Sequence, residues 1–151
     1  MKKEDINDVA IVHSKVFDRQ SASRKWISCN FNAYPRIMMF VAVNEVNQII
    51  GYIQWLQKSG FRRETVIELE QIAVLPDYQG KNIGSEVITQ SLHFIKEYLL
   101  SQNSILKAIM VTTRTDNRAQ NLYEKTFGAK INAVIKDLYS GDEVIMVAKL
   151  F

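Results

Sequence analysis

A single α/β domain with a mixed central sheet flanked by helices is the fold this sequence predicts, on three observations. Apolar residues recur at helical spacing in four stretches, while six other stretches alternate or run apolar over strand length. The two kinds of segment interleave in the order α-α-β-β-β-α-β-α-β-β, the pattern of a sheet covered by helices. A length of 151 residues with 47% hydrophobic content suits one core, because a chain of this size buries about two-thirds of its extended surface. No repeat or linker interrupts it, so residues 1–151 are read as one domain.

The first third carries two helices. Ile6, Val9, Ala10, His13, Val16 and Phe17 share one helical face. The polar break Asp18-Arg19-Gln20-Ser21 then offers Ser21 as the N-cap of a second helix through Trp26, Ile27 and Phe31. Tyr34-Pro35 stops that helix, since the residue before proline is driven out of the α region. Ile37 to Val43 is a short apolar strand, and the turn Asn44-Glu45-Val46-Asn47 leads into its hairpin partner, Gln48 to Leu56. A basic loop, Lys58 to Arg63, precedes a third strand from Thr65 to Leu75, closed by Pro76-Asp77.

After Gly84 the helical period returns through Val87, Ile88, Ser91, Leu92, Ile95, Tyr98 and Leu99. Ile105 to Thr112 is almost wholly apolar, which predicts a strand buried on both faces beside a parallel neighbour. Arg118 to Phe127 reads as a short helix with Gly128 as its left-handed C-cap. Ala129 to Leu138 and Glu143 to Phe151 form the last pair of strands about the turn Tyr139-Ser140-Gly141-Asp142.

Composition narrows the function. Nineteen basic and sixteen acidic residues leave a net charge of +3, spread along the chain; this suits a local anionic ligand and implies no nucleic acid. One cysteine, Cys29, excludes an internal disulfide and a thiolate metal cage; without a paired histidine motif it reads as a small buried hydrophobe. His13 reads as a satisfied core histidine, and His93 lies off its helix's apolar face, so no metal site is expected. No apolar run reaches the ~18–20 residues of a membrane span, and Met1-Lys2-Lys3-Glu4-Asp5 does not open a signal peptide. A soluble protein of a reducing cytoplasm, with no membrane partner, is the expectation.

The segment from Glu68 to Gly84 carries the chemistry. Gln79, Gly80, Lys81, Asn82, Ile83 and Gly84 stand where a strand gives way to a helix. Small residues there let backbone N–H groups converge, and the helix N-terminus adds partial positive charge, so the turn can hold a phosphate or pyrophosphate. The pattern is neither the phosphate loop of nucleotide hydrolases nor a dinucleotide fingerprint.

Val74, Pro76, Gln79, Asn82 and Gly84 resemble the cofactor-binding pattern of the GNAT acetyltransferase superfamily, Arg/Gln-x-x-Gly-x-Gly/Ala after a Val-x-Pro turn. Asn82 stands where the family usually has glycine, and asparagine accepts positive φ better than most residues. A second match follows: Asp116 to Lys125 is similar to the family's Asn-x-x-Ala-x-x-Leu-Tyr-Glu-Lys helix, with the opening Asn displaced onto Asn117. The resemblance runs from about Val41 to the C-terminus; the usual first strand is missing, and the chain opens on a helix.

The resemblance implies an acetyl-CoA-dependent N-acetyltransferase. Acetyl-CoA would enter where the strand through Val74 splays from the strand through Met110. Its pyrophosphate would sit on the amides of Gln79, Gly80, Lys81, Asn82, Ile83, Gly84 and Ser85, with Asn117 nearby. Its pantetheine arm would pair with the strand at Ile72, Ala73 and Val74, one of whose amides would stabilise the oxyanion. Tyr123 matches the family tyrosine that protonates the leaving thiolate, and Glu70 or Glu68 would serve as base, directly or through water. The acceptor would be a primary amine of a small molecule or a protein, and the family's pairing through C-terminal strands allows a homodimer. A non-catalytic acyl-CoA sensor on the same fold is the alternative.

Overall fold

The structure is a computed structural model that describes all residues 1–151. Its elements follow the expected order: α1 (Ile6–Val16), α2 (Ser23–Asn32), β1 (Ile37–Val43), β2 (Ile49–Gln57), β3 (Glu64–Val74), α3 (Ile83–Ser101), β4 (Ile105–Arg114), α4 (Ala119–Phe127), β5 (Lys130–Ile135) and β6 (Glu143–Lys149). Short 3₁₀ turns at Lys3–Asp5 and Pro76–Tyr78 complete the list. The strands form one mixed six-stranded sheet in the order β1-β2-β3-β4-β6-β5. No helix is long and apolar enough to cross a membrane.

The chain divides into two compact units, one comprising residues 1–56 and 71–91, the other 57–70 and 92–151. In the first, β1 and β2 pair antiparallel from Ile37↔Leu56 to Val43↔Ile49. Asn44 shapes their turn: its Oδ1 accepts from the Val46 and Gln48 N–H groups at 3.1 and 2.9 Å, an Asx arrangement that stands in for a backbone turn. Val9, Ala10 and Val12 of α1 and Ile27 of α2 pack with Ile37, Met39, Tyr52 and Ala73 as the core of this unit.

In the second unit β3 and β4 are parallel from Glu64↔Ile105 to Glu68↔Met110. There the ladder ends, although β3 continues to Val74 and β4 to Arg114. On its other side β4 pairs antiparallel with β6 over its whole later length, from Ala108↔Lys149 to Arg114↔Glu143, and β6 pairs antiparallel with β5. Gly128 closes α4 at φ 74°, as its place after Phe127 predicts.

Four local expectations change. Ser21 does not cap α2; Ala22 precedes the helix in the left-handed region at φ 57°, and its carbonyl accepts the Trp26 N–H. Cys29 is exposed, because the inward face of α2 is set by Ile27 and Asn30, and Cys29 falls about 200° round from Ile27. β4 is not buried on both faces: Leu106, Ile109, Val111 and Thr113 are buried, whereas Ala108, Met110, Thr112 and Arg114 are half-exposed. The last strand pair is also shorter than its apolar pattern, with β5 ending at Ile135 before Asp137 turns at φ 51°.

Gly51 marks the tightest backbone approach in the first unit. A Cβ there would stand 2.7 Å from the Ala73 carbonyl oxygen, closer than any real Cβ contact, and the obstacle is backbone of β3 that cannot swing aside. Gly51→Ala should therefore destabilise the protein by roughly 1–3 kcal/mol. Urea denaturation should show a lower midpoint with an unchanged slope.

Candidate active site

In the first unit the candidate donor site is built at the end of β3. The Leu75 N–H donates to the Ile50 carbonyl at 2.8 Å, and the Ala73 carbonyl lies against Gly51. Residues 73 and 75 therefore turn their backbone groups toward β2. Successive residues of a strand turn theirs to opposite sides, so the N–H and C=O groups of Ile72 and Val74 point away from β2. One of these is partly engaged, because Gln79 Nε2 donates to the Val74 carbonyl at 2.9 Å. That bond ties the start of the turn back onto the strand it leaves.

The turn itself holds two left-handed residues, Gly80 at φ 73° and Asn82 at φ 64°. Asparagine thus occupies the backbone state the sequence assigns to it. Asn82 also starts α3: its carbonyl accepts the Glu86 N–H at 3.1 Å. The amides of Ile83, Gly84 and Ser85 precede that first bond and have no helical carbonyl behind them. The Lys81 ammonium lies over the Tyr78 ring, 5.2 Å from its centroid, and the Tyr78 hydroxyl accepts from Asn44 Nδ2 at 3.2 Å. Orphan amides, a helix N-terminus and a cation together make a site for an anion.

In the second unit Glu68 is held by two bonds, from Lys58 Nζ at 2.7 Å and from Thr112 Oγ1 at 3.1 Å. Glu70, two residues on, is half-buried. Both follow or mark the end of the β3–β4 ladder. Tyr123 lies on the inner face of α4 with only 4% of its surface exposed. Burial pushes its phenol up to about 12, so it holds its proton throughout the physiological range. The buried side-chain atom left without a partner is Gln57 Oε1. Phe127 flanks the Tyr123 ring, with centroids 6.0 Å apart.

Asn117 has a local task. Its Oδ1 accepts the Ala119 N–H at 2.9 Å and its Nδ2 donates to Thr113 Oγ1 at 2.7 Å, so it caps α4 and ties it to the end of β4. Asp116 beside it is gripped by Arg114 through Nε and Nη2, each at 2.9 Å; the guanidinium holds its carboxyl below the ordinary range.

The structure also reveals a polar hub that sequence reasoning did not single out. Gln71 Oε1 accepts from Tyr52 Oη at 2.9 Å, Gln54 Nε2 at 2.6 Å and Trp26 Nε1 at 2.9 Å. Gln71 Nε2 donates to Gln20 Oε1 at 3.2 Å, which also accepts from His13 Nε2 at 3.0 Å. His13 Nδ1 then accepts from Ser23 Oγ at 2.9 Å, and Gln54 Oε1 accepts from Asn30 Nδ2 at 3.0 Å. The network assigns His13 the neutral Nε2–H tautomer. Its only sequence signal is a cluster of glutamines on strands that otherwise read apolar.

A model of the Acetyltransferase (GNAT) family matches residues 9–129, most of the sequence. The chain belongs to this family. Solved structures of similar fold include the ribosomal-protein-S18-alanine N-acetyltransferase from Escherichia coli, with a TM-score of 0.77 at 16% identity, covering 99% of this chain and 90% of that one. An aminoglycoside 6'-N-acetyltransferase complexed with coenzyme A gives a TM-score of 0.76 at 14% identity over 99% of this chain and 93% of that one. The NatC complex bound to Gag peptide and CoA gives 0.78 at 20% identity over 99% and 93%. At these identities the likeness shows the GNAT fold. No curated protein sequence matches the chain.

His13 sets a pH dependence on this GNAT domain. It is wholly buried, and burial holds its imidazole below the ordinary value of 6.5, outweighing the opposing effect of the Gln20 bond. In the unfolded chain it takes up a proton near 6.5, before the folded one does. Its contribution is therefore complete above that pH and is lost as pH falls below it. Unfolding free energy should drop between pH 7 and 5, by at most about 1.4 kcal/mol per pH unit from this one proton. Denaturation curves of His13→Gln should show a flatter dependence in that window, whatever its stability at pH 7.5.

Proposed function

We propose that the chain is an acetyl-CoA-dependent N-acetyltransferase, its residues 1–151 forming one catalytic domain that acetylates a primary amine of a small molecule or a protein. The observation that carries this reading is the turn after β3, where positive φ at Gly80 and Asn82 leads into the unbonded amides of Ile83, Gly84 and Ser85. That donor set fits a pyrophosphate, and the outward backbone groups of Ile72 and Val74 fit an amide-bearing arm laid alongside them. Gln79, Gly80, Lys81 and Asn82 would hold the turn in shape. When bound, acetyl-CoA supplies a thioester whose carbonyl carbon forms the new C–N bond as its C–S bond breaks.

The chain's own residues handle orientation and protons. An alkyl amine with a pKa of ~10.4 is overwhelmingly charged at pH 7, so a proton must leave before it can attack. Glu70, or Glu68 through water, takes that proton. Both carboxylate oxygens of Glu68 are already engaged, one by Lys58 and the other by Thr112. An amide among Ile72 to Val74 donates to the carbonyl oxygen as charge develops on it. Tyr123 gives its hydroxyl proton to the departing sulfur and recovers one from solvent. With a phenol near 12 it is a weak acid against a thiol of reference pKa ~8.5, so its contribution is modest.

Two measurements test this. Acetyl-CoA at a hundredfold excess over its dissociation constant should stabilise the native state by about 2.7 kcal/mol. Gly84→Asp, which sets a carboxylate against the anion, should remove most of the resulting shift in Tm. An undiminished shift would refute the turn as the pyrophosphate site.

Tyr123→Phe keeps the ring and loses the hydroxyl. It should retain the CoA-induced shift while amine-dependent thiol release slows roughly 10- to 100-fold. Equal rates across pH 6–9 would leave Tyr123 a packing residue. CoA binding without thiol release from any amine would mark a sensor instead.

A further inference from the structure

Residues of β3 and β4, with Lys58, Ser59 and Arg62 before them, line an open cavity of about 480 Å³. Its apolar lining is Val66 and Met110, and its charged lining is Lys58, Arg62, Lys107 and Glu64. The charges do not cancel. Lys107 is ion-paired with Glu64, and Lys58 with Glu68 at 2.7 Å. Arg62 is held instead through Nε, which donates to the Ser59 carbonyl at 2.9 Å, leaving the outer edge of its guanidinium fork to meet a ligand. One uncompensated, planar cation over an apolar floor suits a single carboxylate or phosphate.

The loop is built to hold that arginine in place. Ser59 and Gly60 turn at φ 57° and 92°, and the Lys58 N–H donates to the Val66 carbonyl at 2.9 Å. Gln57 Nε2 donates to the Gly60 carbonyl at 3.3 Å, and Thr65 Oγ1 to the Arg62 carbonyl at 2.9 Å. The cavity also abuts the candidate chemistry. Met110 in its floor is the register partner of Glu68, the last pair of the β3–β4 ladder, and Lys58 in its wall bonds Glu68 directly.

We propose that this cavity is an anion subsite for the acetyl acceptor, which makes the substrate class an amine joined by an aliphatic spacer to a carboxylate or phosphate. The proposal rests on the acetyl-transfer reading. The anion pairs with Arg62, the spacer lies on Val66 and Met110, and the amine is directed toward the Glu68 end.

The test compares three acceptors of equal length: 5-aminopentanoate, pentylamine and 1,5-diaminopentane. With acetyl-CoA, kcat/KM for 5-aminopentanoate should exceed that for pentylamine by roughly tenfold or more, the scale of one charge-assisted bond. Arg62→Gln should erase the preference while leaving the pentylamine rate in place, and Arg63→Gln should keep it. Equal kcat/KM for the three amines, or a preference that survives in Arg62→Gln, overturns the subsite and leaves acetyl transfer standing. Titration calorimetry separates the two readings further. Arg62-dependent binding of 5-aminopentanoate without acetylation of any amine supports the anion pocket and counts against the transferase. Acceleration of pentylamine acetylation by inorganic phosphate, lost in Arg62→Gln, would assign the pocket to a free anion and overturn the acceptor role. Absence of both binding and preference overturns it outright.

Discussion

Everything proposed for this chain depends on how β3 changes partners along its length. Its first half is locked into a parallel ladder with β4 that stops at Glu68↔Met110. Its last residues lie so close to β2 that only glycine fits at position 51. Backbone hydrogen-bonding groups cannot be left idle in a packed interior. Past the end of that ladder, the proposed donor site uses the outward backbone groups of Ile72 and Val74, both half-exposed. The following turn repeats the theme with the first amides of α3.

The hub at Gln71 shows how the same unit handles polarity without charge. Three donors converge on one amide oxygen that has two lone pairs, and the chain of bonds continues to Asn30 at one end and Ser23 at the other. A carboxylate at position 71 could accept the same bonds but could not donate to Gln20 as Gln71 Nε2 does. Neutral amides satisfy Tyr52 and Trp26, and the carboxyl groups of this strand stand at positions 68 and 70. The division places a neutral wall and an ionisable edge on adjacent parts of one strand.

What could be read from the sequence was what depends on near neighbours. Helix and strand periods placed all ten main elements, Gly128 announced its own left-handed cap, and Asn82 was identified with a positive φ because few other residues accept it. The spacing of Gln79, Asn82 and Gly84 and the run Leu122-Tyr123-Glu124-Lys125 carried the resemblance to the family that the chain belongs to. Features set by distant parts of the chain were invisible. Ser23 opens α2 with its hydroxyl committed to His13, ten residues away, so capping rules chose Ser21 wrongly. Gly51 looked like an ordinary strand residue until β3 was laid against it. Gln71, between Glu70 and Ile72, carried no signal of its own. Cys29 was read as buried from its residue type alone, whereas the face of α2 set by Ile27 and Asn30 leaves it outside.

The position of Cys29 gives the molecule a built-in handle. It is the sole thiol of the chain and stands exposed on α2, whose opposite side carries Ile27 into the core and Asn30 to Gln54. A maleimide dye or nitroxide attached there would label one defined point, without removal of any other cysteine and without entering the packed face. Because α2 joins the Gln71 hub through Trp26 and Asn30, such a label would ride on the segment whose movement accompanies any rearrangement of that neutral wall. The wild-type sequence is thus already prepared for site-specific spectroscopy.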